Sequence, residues 1–303
     1  MVVEGSPPQP TVLSRRLVAF CDILGFSDRL RASSLRDLHA TYTRLIDHVY
    51  TKIAQQQVTE GNTTHTHVAR VEFLFDSVVL VSNPIESDEA PRSVSEFMSF
   101  LSELFESSLG WQLPLRGAIG LGDVLEDAKR RVFLSESIPD LVKAEKQQEW
   151  AGVTILGSAA DVITDGLYGK PASGVPKNGT GHVVSYPIPT KQGSQQSLAL
   201  NWPYFCDARD LTAGLAFLTG KKHDETKRFV DFVHGLLPPP VRLPARAGTV
   251  ETVRVRGFQS GFNIKFCDAE GNGADLPEGT TIDFRVLVEQ HGGGSPRGIG
   301  GPG

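Results

Sequence analysis

Two aspartates stand where the surrounding sequence makes a carboxylate unusual. Asp22 follows the apolar run 17–21 and precedes Gly25, which is the pattern of a buried strand that turns into a helix. Asp76 interrupts the apolar stretch 67–82 and predicts a turn between two strands. Because an unpaired carboxylate away from water is costly, a buried Asp22 needs a partner.

A divalent cation is a suitable partner if the two aspartates converge at one edge of a sheet. Carboxylate oxygens are ligands for Mg²⁺ and Mn²⁺, which keep open positions for phosphate oxygens. Backbone N–H groups of residues 24–27, at the predicted helix start, would face the same phosphates. In an alternative interpretation without a metal, Asp22 and Ser27 cap a helix and Asp76 makes a hairpin turn.

The elements that must position these residues follow the order strand, helix, hairpin, helix, strand. This order predicts an α+β fold on the ferredoxin-like βαββαβ plan, with helices on one face of a mostly antiparallel sheet. The five elements are a strand over 17–23, a helix from Ser27 or Ser34 to Gln55, a hairpin within 67–82, a helix over 91–109 and a strand over 113–124. Further helices are predicted over 137–149, 158–168 and 224–237, with a strand over 150–156 and a loop-and-hairpin region over 170–200.

Composition changes along the chain predict its domain organisation. We expect a disordered leader over 1–11, a catalytic domain over 12–240, a small β-rich appendage over 241–290 and a disordered tail over 291–303.

Bulk composition excludes several classes of function. The chain has 303 residues, of which 40% are hydrophobic and 21% charged, as in ordinary globular proteins. Its net charge of -5 argues against a nucleic-acid partner. No apolar run approaches the roughly 20 residues of a membrane span. Three widely spaced cysteines predict reduced thiols and a cytoplasmic location.

Three segments carry a resemblance to a known family. Residues 22–27 (Asp-Ile-Leu-Gly-Phe-Ser), 75–80 (Phe-Asp-Ser-Val-Val-Leu) and 115–120 (Leu-Arg-Gly-Ala-Ile-Gly) resemble the core blocks of class III nucleotide cyclases. The chain is similar, more narrowly, to the bacterial pyrimidine nucleotide cyclases of Pycsar antiphage systems. The segments similar to that branch are 147–153, 200–203 and 222–227.

The resemblance implies a two-metal reaction in a homodimer with its sites at the subunit interface. It implies that Asp22, Asp76 and the carbonyl of Ile23 hold two Mn²⁺ or Mg²⁺ ions, while Gly25, Phe26 and Ser27 contact the nucleotide. One ion would lower the pKa of the ribose 3′-hydroxyl, which attacks the α-phosphorus, and the pair would hold the triphosphate. It also implies a role in antiphage defence through a separate effector that the cyclic nucleotide activates.

The sequence departs from purine cyclases at three places. Glu72 stands where they carry a base-reading lysine, so Arg70 and Glu72, placed with Asp76 on one strand face, are candidates to line a pyrimidine pocket. Phe75 replaces the usual small residue before the second aspartate. Lys143 falls where the family places a transition-state arginine; it keeps the charge but not the bidentate fork.

The sequence therefore predicts a uridylate cyclase that makes 3′,5′-cyclic UMP, with conversion of CTP to cyclic CMP as the second choice. A catalytically inactive cyclase-like module that binds nucleotides is an alternative from another class. A diguanylate-type or polymerase-like palm enzyme, which joins two nucleotides, is a third. For Arg116 the sequence favours an ion pair with an acid over a role facing substrate or the dimer interface.

Overall fold

A computed structural model describes most of the chain up to position 236. The described residues are 12–32, 34–55, 58–60, 63–66, 68–85, 90–127, 132–168, 181–206 and 208–236. The predicted leader, the β-rich segment over 241–290 and the tail over 291–303 lie outside these residues, as do the last positions of the predicted catalytic domain.

The described residues form ten strands and seven α-helices. The strands are β1 (Val12–Ile23), β2 (Val58–Glu60), β3 (Thr63–His65), β4 (Arg70–Leu74), β5 (Ser77–Val81), β6 (Leu115–Asp127), β7 (Val132–Ser135), β8 (Val153–Ile155), β9 (Val183–Thr190) and β10 (Gly193–Leu200). The helices are α1 (Phe26–Ala32), α2 (Leu35–Gln55), α3 (Ala90–Gly110), α4 (Ile138–Gln147), α5 (Gly157–Tyr168), α6 (Ala208–Leu215) and α7 (Gly220–Leu236), with a short 3₁₀ helix at Trp202–Tyr204. None of the helices in these ranges is both long and apolar enough to cross a membrane.

Strand order confirms the ferredoxin-like plan. The main sheet runs β4-β5-β1-β6-β8-β10-β9, and β7 pairs with β6. Each of its first four strands is antiparallel to its neighbours, and β1 lies between β5 and β6 as the βαββαβ plan requires. β8 joins β6 in parallel and extends the sheet to the β9–β10 hairpin.

The helix expected to start at Ser27 or Ser34 is divided into α1 and α2. The Ser34 hydroxyl accepts the Asp37 backbone N–H at 3.1 Å, which is an N-cap for α2. Both predicted start points therefore lie near a true helix start, and Gln55 is the predicted end. β7 and α6 were not predicted, and α7 begins four residues before the predicted 224.

Alternate residues of β1 project to opposite faces of the sheet. Leu17, Ala19 and Cys21 are fully buried on one face. On the other face, Val18 and the partly buried Phe20 belong to an apolar cluster with residues of α4. This second face carries Asp22 at its end, so α4 and the candidate site share one side of the sheet.

The three segments that resemble the bacterial branch meet around an aromatic cluster of the core that includes Phe229, two residues after the third segment. The Trp150 and Phe229 ring centroids are 4.6 Å apart, and those of Trp202 and Phe229 are 6.1 Å apart. The Thr226 hydroxyl accepts the Ala151 backbone N–H at 2.7 Å. These segments therefore hold α7 against the sheet, and their role in the described structure is packing.

Candidate functional site

Asp22 lies at the end of β1 between two neighbouring strands. It is opposite Ser77 of β5 and opposite Arg116 of β6, and residues paired in this way project to the same face. The Ser77 hydroxyl donates to Asp22 Oδ1 at 3.1 Å. Asp22 is half-buried and belongs to the strand ladder, so the alternative in which it caps a helix is wrong.

Asp76 lies in the two-residue turn that joins β4 to β5. Leu74 and Ser77 are paired, which leaves Phe75 and Asp76 as the loop, and the predicted turn is confirmed. The Asp76 carbonyl accepts the Ile23 backbone N–H at 2.9 Å. This bond joins the turn to the end of β1, so the structure brings together the chain segments of the two predicted acids.

The electrostatic environment of Asp22 also reflects this convergence. Its pKa is raised to about 6, first by burial, then by the negative charge of Glu145 and by that of Asp76. The Ser77 hydrogen bond and the positive charge of Arg116 act in the opposite direction. The ionised form of Asp22 is therefore destabilised by other acids, and a bound cation would offset that repulsion.

The donor chemistry of this site fits a hard divalent cation. Two carboxylates and the backbone carbonyl of Ile23 are oxygen donors, which Mg²⁺ and Mn²⁺ prefer. Over the described ranges, no group of three or more His, Cys, Asp or Glu side chains is arranged to hold a metal ion. A cation held by Asp22 and Asp76 would therefore need the backbone carbonyl and oxygens of a bound phosphate to complete its coordination shell.

The turn after β1 carries the predicted phosphate contacts Gly25, Phe26 and Ser27. Gly25 has a φ of +73°, a left-handed conformation that favours glycine, and it is exposed together with Ser27. The expectation that the Leu24 N–H faces a phosphate is wrong, because this group donates to the Pro114 carbonyl at 2.8 Å.

Arg70 and Glu72 form an ion pair on β4. Arg70 Nη2 and Glu72 Oε1 are 2.6 Å apart, and Arg70 Nη1 is 3.6 Å from Glu126 Oε1. The Arg70 guanidinium also lies 5.2 Å from the Phe133 ring centroid. The expectation that Asp76 shares their strand face is wrong, since β4 ends at Leu74 and its alternation does not extend into the turn.

Arg116 binds an acid of α4, as the sequence favoured. Its Nε donates to Glu145 Oε1 at 2.6 Å and its Nη1 donates to the Gln148 carbonyl at 2.9 Å. Glu145, which is 2% exposed, was not predicted as this partner. A signal was present, because Leu141, Glu145 and Gln148 share one helical face and Leu141 is apolar.

Lys143 lies on the other side of the same helix. Its position is exposed, while Leu141 and Glu145, two residues before and after it, are buried. Residues two apart on a helix point in nearly opposite directions. Within one chain, α4 therefore presents Glu145 towards Asp22 and Lys143 towards solvent.

The chain was compared with known families, curated proteins and solved structures. No family model and no curated protein matches it. Solved structures similar to it include the catalytic core of a rhodopsin-guanylyl cyclase with converted specificity (16% identity, 63% of this chain, 98% of that chain, TM-score 0.45) and the adenylyl cyclase CyaB from P. aeruginosa (12%, 63%, 96%, 0.45). A guanylyl cyclase domain from the aquatic fungus Blastocladiella emersonii is similar at 16% identity, 63% of this chain, 98% of that chain and TM-score 0.44. Similarities at this level do not assign the chain to a family.

Proposed function

We propose that this protein is a cytoplasmic nucleotide cyclase that converts UTP to 3′,5′-cyclic UMP and pyrophosphate. The observation that supports the proposal is the hydrogen bond from the Ile23 N–H to the Asp76 carbonyl, which joins the turn that carries Asp76 to the strand end that carries Asp22. The raised pKa of Asp22, caused by burial and by neighbouring acids, supports a site that binds cationic ligands.

The reaction needs only positioning and charge neutralisation from the protein. The ribose 3′-oxygen forms a bond to the α-phosphorus, the bond from that phosphorus to the α,β-bridging oxygen breaks, and pyrophosphate leaves with that electron pair. The 3′-hydroxyl proton passes to solvent. Asp22, Asp76 and the Ile23 carbonyl would hold Mn²⁺ or Mg²⁺, which when bound acidifies the 3′-hydroxyl and neutralises the triphosphate. Gly25, Phe26 and Ser27 would contact the nucleotide beside these ions.

Base selection is assigned to Glu72 and Arg70. A carboxylate accepts hydrogen bonds and a guanidinium donates them, so the pair can read the edge of a pyrimidine. The Glu72 side chain is 40% exposed against 25% for Arg70, which supports Glu72 as the more accessible group. Glu72→Ala is expected to reduce the preference for UTP over CTP more than it reduces total turnover, measured with both substrates.

A homodimer would supply Lys143 to the site of the partner subunit. Its exposed position, away from Asp22 of its own chain, supports a role across an interface. If so, mixing Asp22→Ala with Lys143→Ala should restore up to about a quarter of the activity, because half of the dimers contain one intact site. Absence of any restoration by subunits that are shown to exchange would remove Lys143 from this role.

The deciding experiment is incubation of the purified protein with each of the four nucleoside triphosphates and Mn²⁺, followed by mass analysis of the products. Cyclic UMP is the expected main product, and cyclic CMP would shift the proposal to a cytidylate cyclase. Two nucleotides joined together would support a palm enzyme instead. Nucleotide binding without any product would support an inactive cyclase-like module.

The sequence resemblance also leads us to assign the product a role as a second messenger in antiphage defence. A separate effector that binds the cyclic nucleotide would then respond to it. Cells that carry the wild-type protein and its effector should resist phage infection, and cells that carry the Asp76→Ala variant should not.

A further inference from the structure

The turn that carries Asp76 has a backbone conformation that its residues do not favour. Phe75 has a φ of +58°, which is uncommon for a bulky side chain. Its side chain is 92% exposed, so packing of the Phe75 ring does not hold the turn in place. Other contacts must therefore maintain this conformation.

Two hydrogen bonds hold the peptide groups on both sides of Asp76. The Tyr42 hydroxyl donates to the Phe75 carbonyl, which belongs to the peptide group before Asp76. The Ile23 N–H donates to the Asp76 carbonyl at 2.9 Å, which belongs to the peptide group after it. The orientations of these two peptide groups define φ and ψ of Asp76. The two hydrogen bonds therefore fix the direction of the Cα–Cβ bond that carries the carboxylate.

Tyr42 is itself held between the segments that carry the two acids. Its ring centroid is 5.8 Å from that of Phe26, four residues after Asp22, and 6.0 Å from that of Phe73, three residues before Asp76. These ring contacts orient the hydroxyl towards the turn. Removal of the hydroxyl alone would leave the rings in place and release only the Phe75 carbonyl.

We infer that Tyr42 is a positioning residue of the metal site, acting through the backbone of the Phe75–Asp76 turn. The inference rests on the proposed function, in that Asp76 is taken as a metal ligand. Without the Tyr42 hydrogen bond, the strained turn relaxes and the Asp76 carboxylate is no longer fixed as a ligand beside Asp22.

The test is Tyr42→Phe, with Mn²⁺ binding measured by electron paramagnetic resonance and turnover measured against Mn²⁺ concentration. Loss of an outer-shell partner typically weakens metal affinity by about tenfold or more, and we expect a loss of that size. The maximum rate at saturating Mn²⁺ should fall much less. Tyr50→Phe is the matched control, since Tyr50 lies on the same helix against Phe73 and the same atom is removed.

Repeating Tyr42→Phe in a protein that already carries a substitution in the turn separates a positioning role of Tyr42 from a general loss of structure. Asn adopts left-handed backbone conformations more readily than Phe, so Phe75→Asn should reduce the dependence of the turn on Tyr42. In that background Tyr42→Phe is expected to weaken Mn²⁺ binding by less than about threefold, the effect of one weak hydrogen bond. An equal loss in both backgrounds would overturn the inference.

The binding measurement needs no turnover, so the two proposals fail separately. Wild-type protein that binds Mn²⁺ but makes no cyclic product would contradict the cyclase proposal and leave the Tyr42 comparison valid. Mn²⁺ affinity equal to wild type in Tyr42→Phe would overturn the positioning role even in an active cyclase. A wild-type protein that binds no Mn²⁺, with or without nucleotide, would overturn both.

Discussion

Two carboxylates on the same face of the sheet have opposite environments. Glu145 is 2% exposed, and its carboxylate accepts a hydrogen bond from Arg116 Nε at 2.6 Å, so it has a cationic partner within the chain. Asp22, at the end of β1, is half-buried, and after burial the largest influences on its pKa are the charges of Glu145 and Asp76. Glu145 therefore has Arg116 as its cationic partner, whereas the negative charges of Glu145 and Asp76 destabilise the ionised form of Asp22.

This difference separates an acid whose cationic partner is part of the fold from an acid that we propose binds an external cation. A buried charge with a bonded partner is satisfied, and it contributes to the packing of α4 on the sheet. Burial and neighbouring carboxylates raise the pKa of Asp22 and so destabilise its ionised form, and an external cation would offset this destabilisation. The contrast is why we place the candidate site at Asp22 and Asp76 rather than at Arg116.

The largest expected effect comes from removing either acid of the candidate site. Asp22→Ala and Asp76→Ala should each reduce cyclase turnover by at least about a thousandfold, because metal-ion catalysis contributes several kcal/mol. Asp28→Ala is the control, since Asp28 is an exposed acid of the adjoining helix α1 that pairs with Arg31. Either site variant retaining wild-type turnover would remove that residue from the site.

Breaking the pair between Arg116 and Glu145 should reduce the stability of the fold. Glu145→Gln leaves the Arg116 side chain, 11% exposed, without its anion and should lower the free energy of unfolding by about 3 kcal/mol in urea titrations. The control is Asp231→Asn in the exposed Lys227 pair, for which a loss below about 1 kcal/mol is expected. Equal losses in the two variants would erase the distinction between the buried and the exposed pair.

Neutralising Asp22 should stabilise the metal-free protein in a pH-dependent way. The pKa of Asp22 in the folded state is about 6, above its ordinary value of 3.8, so folding favours the protonated form. That stabilisation is present below about pH 4 and is lost as the pH rises through about 6. Asp22→Asn in EDTA should therefore exceed wild type in stability above pH 6 by at most about 3 kcal/mol.

The same difference should disappear in acid. Well below the ordinary pKa of 3.8 the two proteins are expected to have equal free energies of unfolding, since Asp22 of the wild type is then protonated in both the folded and the unfolded state. Urea titrations at intervals between about pH 3 and about pH 8 measure the change. A constant difference at every pH would mean that the charge of Asp22 is not the source.

The smallest effect is expected from a change in the packing of α4, which carries Glu145, against β6. A Cβ at Gly120 would lie 3.0 Å from Leu141 Cδ2 and 3.4 Å from Ser137 Cβ, so Gly120→Ala should push α4 outward slightly. A loss of about 1 kcal/mol in unfolding free energy is expected, since side-chain ends can adjust. Mn²⁺ binding should be unchanged, and a parallel loss of metal affinity would couple the two regions that we treat as distinct.

Sequence patterns predicted the framework of the site better than its contacts. The apolar run before Asp22 predicts the central strand, and the interrupted run around Asp76 predicts the hairpin. Both predictions succeed because hydrophobic patterning and turn-forming residues act within a short stretch of sequence. The pairing of Arg116 with Glu145 required knowledge of which helix face meets the sheet. No local pattern marks Tyr42, because the bond from its hydroxyl to a carbonyl 33 positions away depends on the tertiary fold.

We propose that Asp22 and Asp76 bind the same divalent cation, and a Mn²⁺ titration followed by electron paramagnetic resonance tests this most directly. Asp22→Ala and Asp76→Ala should each weaken Mn²⁺ binding by at least about tenfold, and the double variant should lose less than the two single losses combined, because shared ligands are not independent. Wild-type affinity in both single variants, or fully additive losses, would contradict the account.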